Sequence, residues 1–237
     1  MSIFKIAKTG ILLIAMILVG AACCGKSKIP SIKYSRPVSA DVATVFIMQE
    51  IFVEGIPIPL VFSGTGFGIA HDMDSTYILT AGHICSNLGS NPVTGEEPPP
   101  HTATFKLVDR MGDEYPATVY SISDEQDLCL LKTETRLQIT RIAKDSPQPG
   151  EIIHYSGYPT GMYILNGLNY FDGRFSGSTP DGNHLYSMAV AAGASGSPVY
   201  NNDGEVVGLV SAVLVDFHHI SIGVGRENIL AFLISTE

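Results

Sequence analysis

Basic residues are scarce in this chain: 14 Lys and Arg stand against 23 Asp and Glu, a formal net charge of −9. A surface that grips nucleic acid needs clustered Lys and Arg, so that class of function is excluded. Helical periodicity is nearly missing as well. Only Arg226 to Ile234 carries it, with Ile229, Leu230 and Leu233 on one face. Nothing recurs at a fixed period, which excludes repeat architectures. His71, His101, His154, His184, His218 and His219 lack metal-ligand spacing with cysteines or carboxylates, so neither a metal nor a cofactor is expected. The run Gly64-Thr65-Gly66-Phe67-Gly68-Ile69 lacks the third glycine of a dinucleotide fingerprint at the right offset, and no helix pattern follows it. It reads as a twisted strand crossing near another backbone.

What the chain does contain is a succession of short apolar runs, punctuated by 24 glycines and 14 prolines. That pattern indicates a mostly β protein, and 237 residues suffice for one large or two small domains. Strands are expected at Ala43–Glu50 and at Ile51–Phe62, the latter broken by Pro57 and Pro59, and again at Tyr77–Thr80, Thr102–Val108 and Tyr115–Ile122. Asn87 to His101, with three consecutive prolines, is a surface loop, and Leu137 to Gln148 is a connection between domains. Beyond it, Glu151–Tyr155, a hairpin over Tyr163–Phe175, Leu185–Val190, Glu205–Leu214 and Ile220–Val224 continue the rhythm.

The first residues form a separate unit. Lys5 and Lys8 precede an apolar run from Ile11 to Ala22, the length of a signal-peptide core and short for a spanning helix. Gly20-Ala21-Ala22-Cys23 resembles the lipobox of bacterial lipoproteins, which makes Cys23 a lipidation candidate and membrane attachment through the N-terminus the expectation. Ordinary cleavage after Ala22, giving a secreted form, and an uncleaved anchor are the alternatives. Residues 1–23 are thus read as signal peptide and lipobox, and 24–40 as a polar tether carrying Lys26, Lys28, Lys33 and Arg36.

Three polar residues sit in settings suited to chemistry. Gly193-Ala194-Ser195-Gly196-Ser197-Pro198 places a serine between glycines, where a tight turn can aim the N–H groups of Gly193 and Ser195 into one small space beside its hydroxyl. An ordinary hairpin loop has the same composition, so the rest of the chain must decide. His83, in Thr80-Ala81-Gly82-His83, follows a buried strand and is placed to project into a cleft as a general base. Asp127 stands at the mouth of the apolar strand Leu128-Cys129-Leu130-Leu131, where a buried carboxylate needs partners, while Asp124 and Glu125 read as solvated turn residues.

The pieces Thr-Ala-Gly-His, Asp-Leu-x-Leu-Leu, Gly-x-Ser-Gly-x-Pro and Gly-Glu-Val-Val-Gly-Leu-Val-Ser, in this order, resemble the trypsin-like serine peptidases. The likeness is closer to the bacterial and viral branch that includes glutamyl endopeptidases and Deg-type proteases. It implies an all-β fold of two antiparallel β-barrels, at 41–140 and 141–237, with the active site between them and a short C-terminal helix. It implies catalysis by His83, Asp127 and Ser195, an oxyanion hole from the N–H groups of Gly193 and Ser195, and a polypeptide substrate met by Ala189, Ser211 and Val213. Ser211 is expected to bond either substrate backbone or Asp127. Departures from the family pattern matter. Ala194 stands where trypsin has an Asp that pairs with a freed N-terminus, which argues against activation by that route. Ala189 argues against Lys or Arg specificity, and Val210 stands where glutamyl-specific relatives carry His. Unlike full Deg-type proteases, this chain is expected to carry no peptide-binding PDZ domain after its helix. Because a working triad requires His83 to meet Asp127, Cys85 and Cys129, each two residues further on, are disulfide candidates, with two buried free thiols as the alternative. A catalytically silent surface binding module of the same fold is the competing function.

Overall fold

A computed structural model of the chain describes residues 38–86, 98–213 and 219–236. The leader, Cys23, the tether up to residue 37, residues 87–97 of the proline-rich loop, and His218 lie outside the described residues.

Six strands close a first antiparallel barrel: β1 Thr44–Val53, β2 Leu60–Asp72, β3 Ser75–Ala81, β4 His101–Val108, β5 Glu114–Ser123 and β6 Leu128–Thr133. Their order around the barrel is β1-β2-β3-β6-β5-β4. Six more close a second: β7 Ile152–Gly157, β8 Asn169–Ser178, β9 Asn183–Ser187, β10 Pro198–Tyr200, β11 Val206–Val213 and β12 Ser221–Gly225, in the order β10-β11-β12-β9-β8-β7. The helix α2, Arg226–Ser235, follows the last strand. Closure removes the exposed strand edges that short, apolar, β-branched segments would otherwise present. The expected all-β pair of barrels with a short C-terminal helix is what forms.

Three local expectations change. Ile51 to Phe62 is not one strand: β1 runs on to Val53, and the chain turns over before β2, because Pro57 and Pro59 withhold the N–H groups that a ladder needs. Tyr163 to Phe175 is not a hairpin. Its first part is irregular and is fastened to the β4–β5 turn, where the Tyr163 hydroxyl donates to the Asp109 carbonyl (2.7 Å) and the Asn166 N–H to the Arg110 carbonyl (2.7 Å). With those groups satisfied elsewhere, only β8 remains to pair with β7 and β9. On α2 the buried residues are Ile229 and Phe232, with Leu233 packed beside them; Leu230 lies one position off that stripe.

The core of the first barrel is built from Ile47, Phe67, Ile78, Leu79, Leu107 and Leu131, all fully buried, and it continues through Val206, Leu209 and Val224 to Ile229 and Phe232. Tyr155, Phe175, Tyr186, Val199 and Val210 fill the second barrel. A third cluster joins Phe46 and Val108 of the first barrel to Tyr158 and Leu168 beyond β7. Each such side chain contributes about 1.5–3 kcal/mol on burial, so the two barrels share apolar contacts on either side of the line where they meet. Among the described residues, no helix is long and apolar enough to cross a membrane.

Candidate active site

The ladder between β3 and β6 pairs Thr80 with Cys129 and Ala81 with Leu128. The residues leaving β3 therefore lie beside those entering β6. His83 sits in the single helical turn α1, Gly82–Cys85, which caps β3, and its side chain is 47% exposed. Asp127 precedes β6 with a φ of 51°, a left-handed conformation that Asp tolerates better than most residues. In that conformation its carboxylate faces back toward α1. Oδ1 accepts both the His83 backbone N–H (2.9 Å) and Nδ1–H (2.9 Å), and Oδ2 lies 3.1 Å from the same ring nitrogen. Burial alone raises the carboxyl pKa, but hydrogen bonds from the His83 ring and from Ser211, the His83 charge and the His83 N–H outweigh it and hold Asp127 below the ordinary aspartate value.

Ser211 reaches Asp127 from the second barrel. It is the extra residue of a bulge in β11, where the register with β12 shifts between Val210 and Ala212. Bulges re-aim side chains, and here the Ser211 hydroxyl donates to Asp127 Oδ2. Of the two partners open to it from the sequence, the carboxylate is the one it takes. Disulfide Cys85–Cys129 spans the same junction, with Cα atoms 6.3 Å apart and both residues buried.

Ser195 lies in the turn ahead of β10, and the hydrogen bonds of that turn define what its backbone can do. Every carbonyl from Ala192 to Ser195 accepts a bond. Ala192 takes the Thr160 N–H, Gly193 the Thr65 hydroxyl (2.9 Å), Ala194 the Ser197 N–H (2.9 Å) and Ser195 the Thr65 N–H (2.9 Å). The N–H groups of Ala194 and Gly196 donate to the carbonyls of Ala191 (3.0 Å) and Val210 (2.7 Å). Among the described residues, the N–H groups of Gly193 and Ser195 have no protein acceptor. Carbonyl and N–H point oppositely across a trans peptide, so pinning the carbonyls of Ala192 and Ala194 also fixes where those two N–H groups aim. Glycine is required on both sides: φ is 87° at Gly193 and 82° at Gly196, and a Cβ there would sit 2.7 Å from the Tyr158 carbonyl oxygen and 2.1 Å from that of Thr65. The Ser195 hydroxyl itself donates to the Ser211 carbonyl at 3.3 Å.

Ser211 thus contacts both Asp127 and Ser195. Ala189 is exposed, in the segment between β9 and the serine turn, and its carbonyl accepts the Tyr155 hydroxyl (2.9 Å); Val213 is half-buried at the end of β11. Two residues of the site escaped the sequence reading. Thr65 had one available signal, a polar β-branched residue between glycines in an otherwise apolar strand. Thr160, at a φ of 57°, had none.

A family model described as trypsin-like peptidase domain matches residues 64–209, more than half of the chain. A probable periplasmic serine endoprotease, DegP-like, of Marinomonas sp. (strain MWYL1) is 32% identical over 158 residues, which is 63% of this chain and 29% of that protein. Serine protease HTRA3 of Rattus norvegicus is 25% identical over 210 residues, 80% of this chain and 43% of that protein. The chain therefore spans less than half the length of these relatives. Among solved structures, the serine endoprotease from Yersinia pestis superposes with a TM-score of 0.64 at 18% identity, covering 85% of this chain and 68% of that one. The active form of a protease from M. tuberculosis gives 0.63 at 19% identity, covering 88% and 91%. At such identities the two structures speak for the fold alone. The family match, with relatives of the Deg type beside it, settles the classification: this chain belongs to the trypsin-like peptidase domain family.

Proposed function

We propose that this chain is a serine endopeptidase that cleaves polypeptides through His83, Asp127 and Ser195. One observation carries the reading: in the turn around Ser195, the N–H groups of Gly193 and Ser195 are held in place with no acceptor among the described residues, beside a serine hydroxyl. The His83–Asp127 pair and the names of the relatives, which are endoproteases, support it.

In this mechanism the Ser195 hydroxyl turns from the Ser211 carbonyl toward Nε2 of His83 and attacks the carbonyl carbon of a peptide bond. Its proton passes to Nε2, and the carbonyl oxygen, now negative, is bound by the two free N–H groups, each worth about 3–4 kcal/mol in such a site. Asp127 holds the proton of His83 on Nδ1 and stabilises the imidazolium. The imidazolium gives its proton to the amide nitrogen, the C–N bond breaks, and an ester to Ser195 remains. Water, deprotonated by His83, then cleaves that ester and restores the serine. Ala189 and Val213, with Ser211, form the substrate side of the site, and the small apolar Ala189 favours small or medium apolar residues before the cleaved bond. The two barrels divide into domains near residue 140.

A fluorophosphonate probe tests the reading. It should attach to the wild-type domain, its mass mapping to Ser195, and attachment should vanish in Ser195→Ala. Labelling that persists in Ser195→Ala removes the assignment, and a wild-type domain that never labels points to the silent binding module instead.

The same proposal places the protein outside the cytoplasm, in keeping with the periplasmic naming of the DegP-like relatives. There, Cys23 carries lipid and the tether links it to the barrels. Intact-mass analysis of the membrane fraction should find a mature N-terminal Cys23 bearing a diacylglyceryl group. A mature N-terminus elsewhere without lipid mass leaves the secreted form.

A further inference from the structure

We infer that Thr65, a residue of the first barrel, is the positioning residue that sets the oxyanion-binding N–H groups in the second; the inference rests on the peptidase reading. Thr65 lies on β2 and is fully buried. Its hydroxyl is used in both directions, donating to the Gly193 carbonyl (2.9 Å) and accepting the Tyr158 N–H (3.1 Å). Its backbone N–H donates to the Ser195 carbonyl (2.9 Å), and its carbonyl accepts the Thr80 hydroxyl (2.7 Å). Every polar group of this one residue is therefore engaged, and two of its bonds go to the carbonyls of the two residues whose N–H groups would receive the oxyanion.

The geometry makes the hydroxyl more than a packing feature. Gly193 is gripped from two sides. Its carbonyl is held by Thr65, and the carbonyl before it is held by the N–H of Thr160, which follows Tyr158 and Pro159 in a single 3-10 turn. The Thr65 hydroxyl bonds both Gly193 and the start of that turn. It therefore acts on the Gly193 N–H from both sides, through the turn that holds the Ala192 carbonyl of the same peptide and through the next peptide, which it holds directly. A valine of the same shape would leave the half-buried Gly193 carbonyl and the buried Tyr158 N–H without their partner. Each would then seek another partner: the Tyr158 turn loosens its hold on the Ala192 carbonyl, the Gly193–Ala194 peptide beyond is released, and the Ala192–Gly193 peptide between them can turn its N–H out of the hole. A serine keeps the hydroxyl and loses only a methyl group.

The effect belongs to the transition state, because the hole acts on charge that develops only there. Thr65→Val should lower kcat on a peptide ester by about tenfold to a hundredfold, less than the 10²–10³ for removing a hole donor outright, with KM changed less than threefold or so. Thr65→Ser should restore kcat to within a few-fold of wild type. A second readout separates positioning from stability. A peptide aldehyde, whose carbonyl carbon receives the Ser195 oxygen while the proton passes to His83, leaves its oxygen in the hole. It should bind Thr65→Val ~10–100-fold more weakly, whereas the matching peptide amide, bound without a covalent step, should bind both forms alike. If Thr65→Val fails to fold, Thr65→Ala removes the same hydroxyl and is read in the same way. Wild-type kcat in the valine variant, or equal loss of aldehyde and amide binding, overturns the inference, as does a serine variant no better than valine. Failure of the peptidase reading looks different: the wild-type domain itself then neither hydrolyses the ester nor binds the aldehyde more tightly than the amide, and both proposals fall together.

Discussion

Exchanging Asp127 for Asn is expected to lower kcat by about four orders of magnitude while leaving KM within a few-fold of wild type. The carboxylate accepts from His83 twice, at the backbone N–H and at Nδ1, and from the Ser211 hydroxyl. An amide keeps the size but offers only one acceptor atom, and its NH2 group turned to Nδ1 demands a bare nitrogen there. The ring proton then moves to Nε2, the atom that receives the Ser195 proton in the proposed mechanism, and the base is blocked. Steady-state kinetics on a peptide ester at pH 7.5 decide the matter, and a drop smaller than about tenfold removes Asp127 from the mechanism. The acid side gives an independent check. The folded Asp127 carboxyl is held below its ordinary value, so its contribution to stability is present above the unfolded carboxyl pKa of about 3.9 and is lost as pH falls through the folded value. Asp127→Asn should therefore be the less acid-sensitive fold, though the poorer enzyme.

Removing the Cys85–Cys129 bond is expected to destabilise the domain by about 4 kcal/mol, from the entropy returned to an unfolded chain no longer closed over this span. The two cysteines are 44 positions apart, and both are buried in the first barrel. For a domain of this size the loss corresponds to a fall in Tm of roughly 8–16 °C. Urea unfolding of the oxidised domain against Cys85→Ala/Cys129→Ala measures it, and a difference below about 1 kcal/mol shows that the bond constrains little. Because the bond ties α1 to β6, activity in the variant should fail at a lower temperature, before the barrels unfold as a whole.

The disulfide also shows how far local reasoning reaches. The two cysteines that follow His83 and Asp127 at equal spacing are bonded, but equal spacing is not what joins them. Asp127 precedes β6 in a left-handed turn, and what brings the cysteines together is the register of β3 with β6. Strands such as β4 and the buried run of β6 were legible because burial dictates their composition. The irregular stretch from Met162 to Leu168 was not, since its partners, Asp109 and Arg110, lie more than 50 positions away. The triad residue types and their order were visible in the motifs. The bond from Thr65 to Gly193, 128 positions distant, is remote in the same way, and a polar residue between glycines was its one local signal.

That distance has a consequence in time. The turn that carries Ser195 is pinned by Thr65 of β2, and β2 is pinned in turn by Thr80 of β3, so the second barrel alone lacks the restraints that shape the turn of its proposed nucleophile. His83 and Asp127 come from the first barrel, which lacks the serine. Contacts this remote in sequence close late, after each barrel has formed around its local hairpins. In the proposed peptidase, a full-length chain that has not yet docked its two barrels therefore carries every reactive group and no reactive site. On the proposed reading, cutting power arrives only with that docking, when neighbouring copies of the chain have ceased to be unfolded targets.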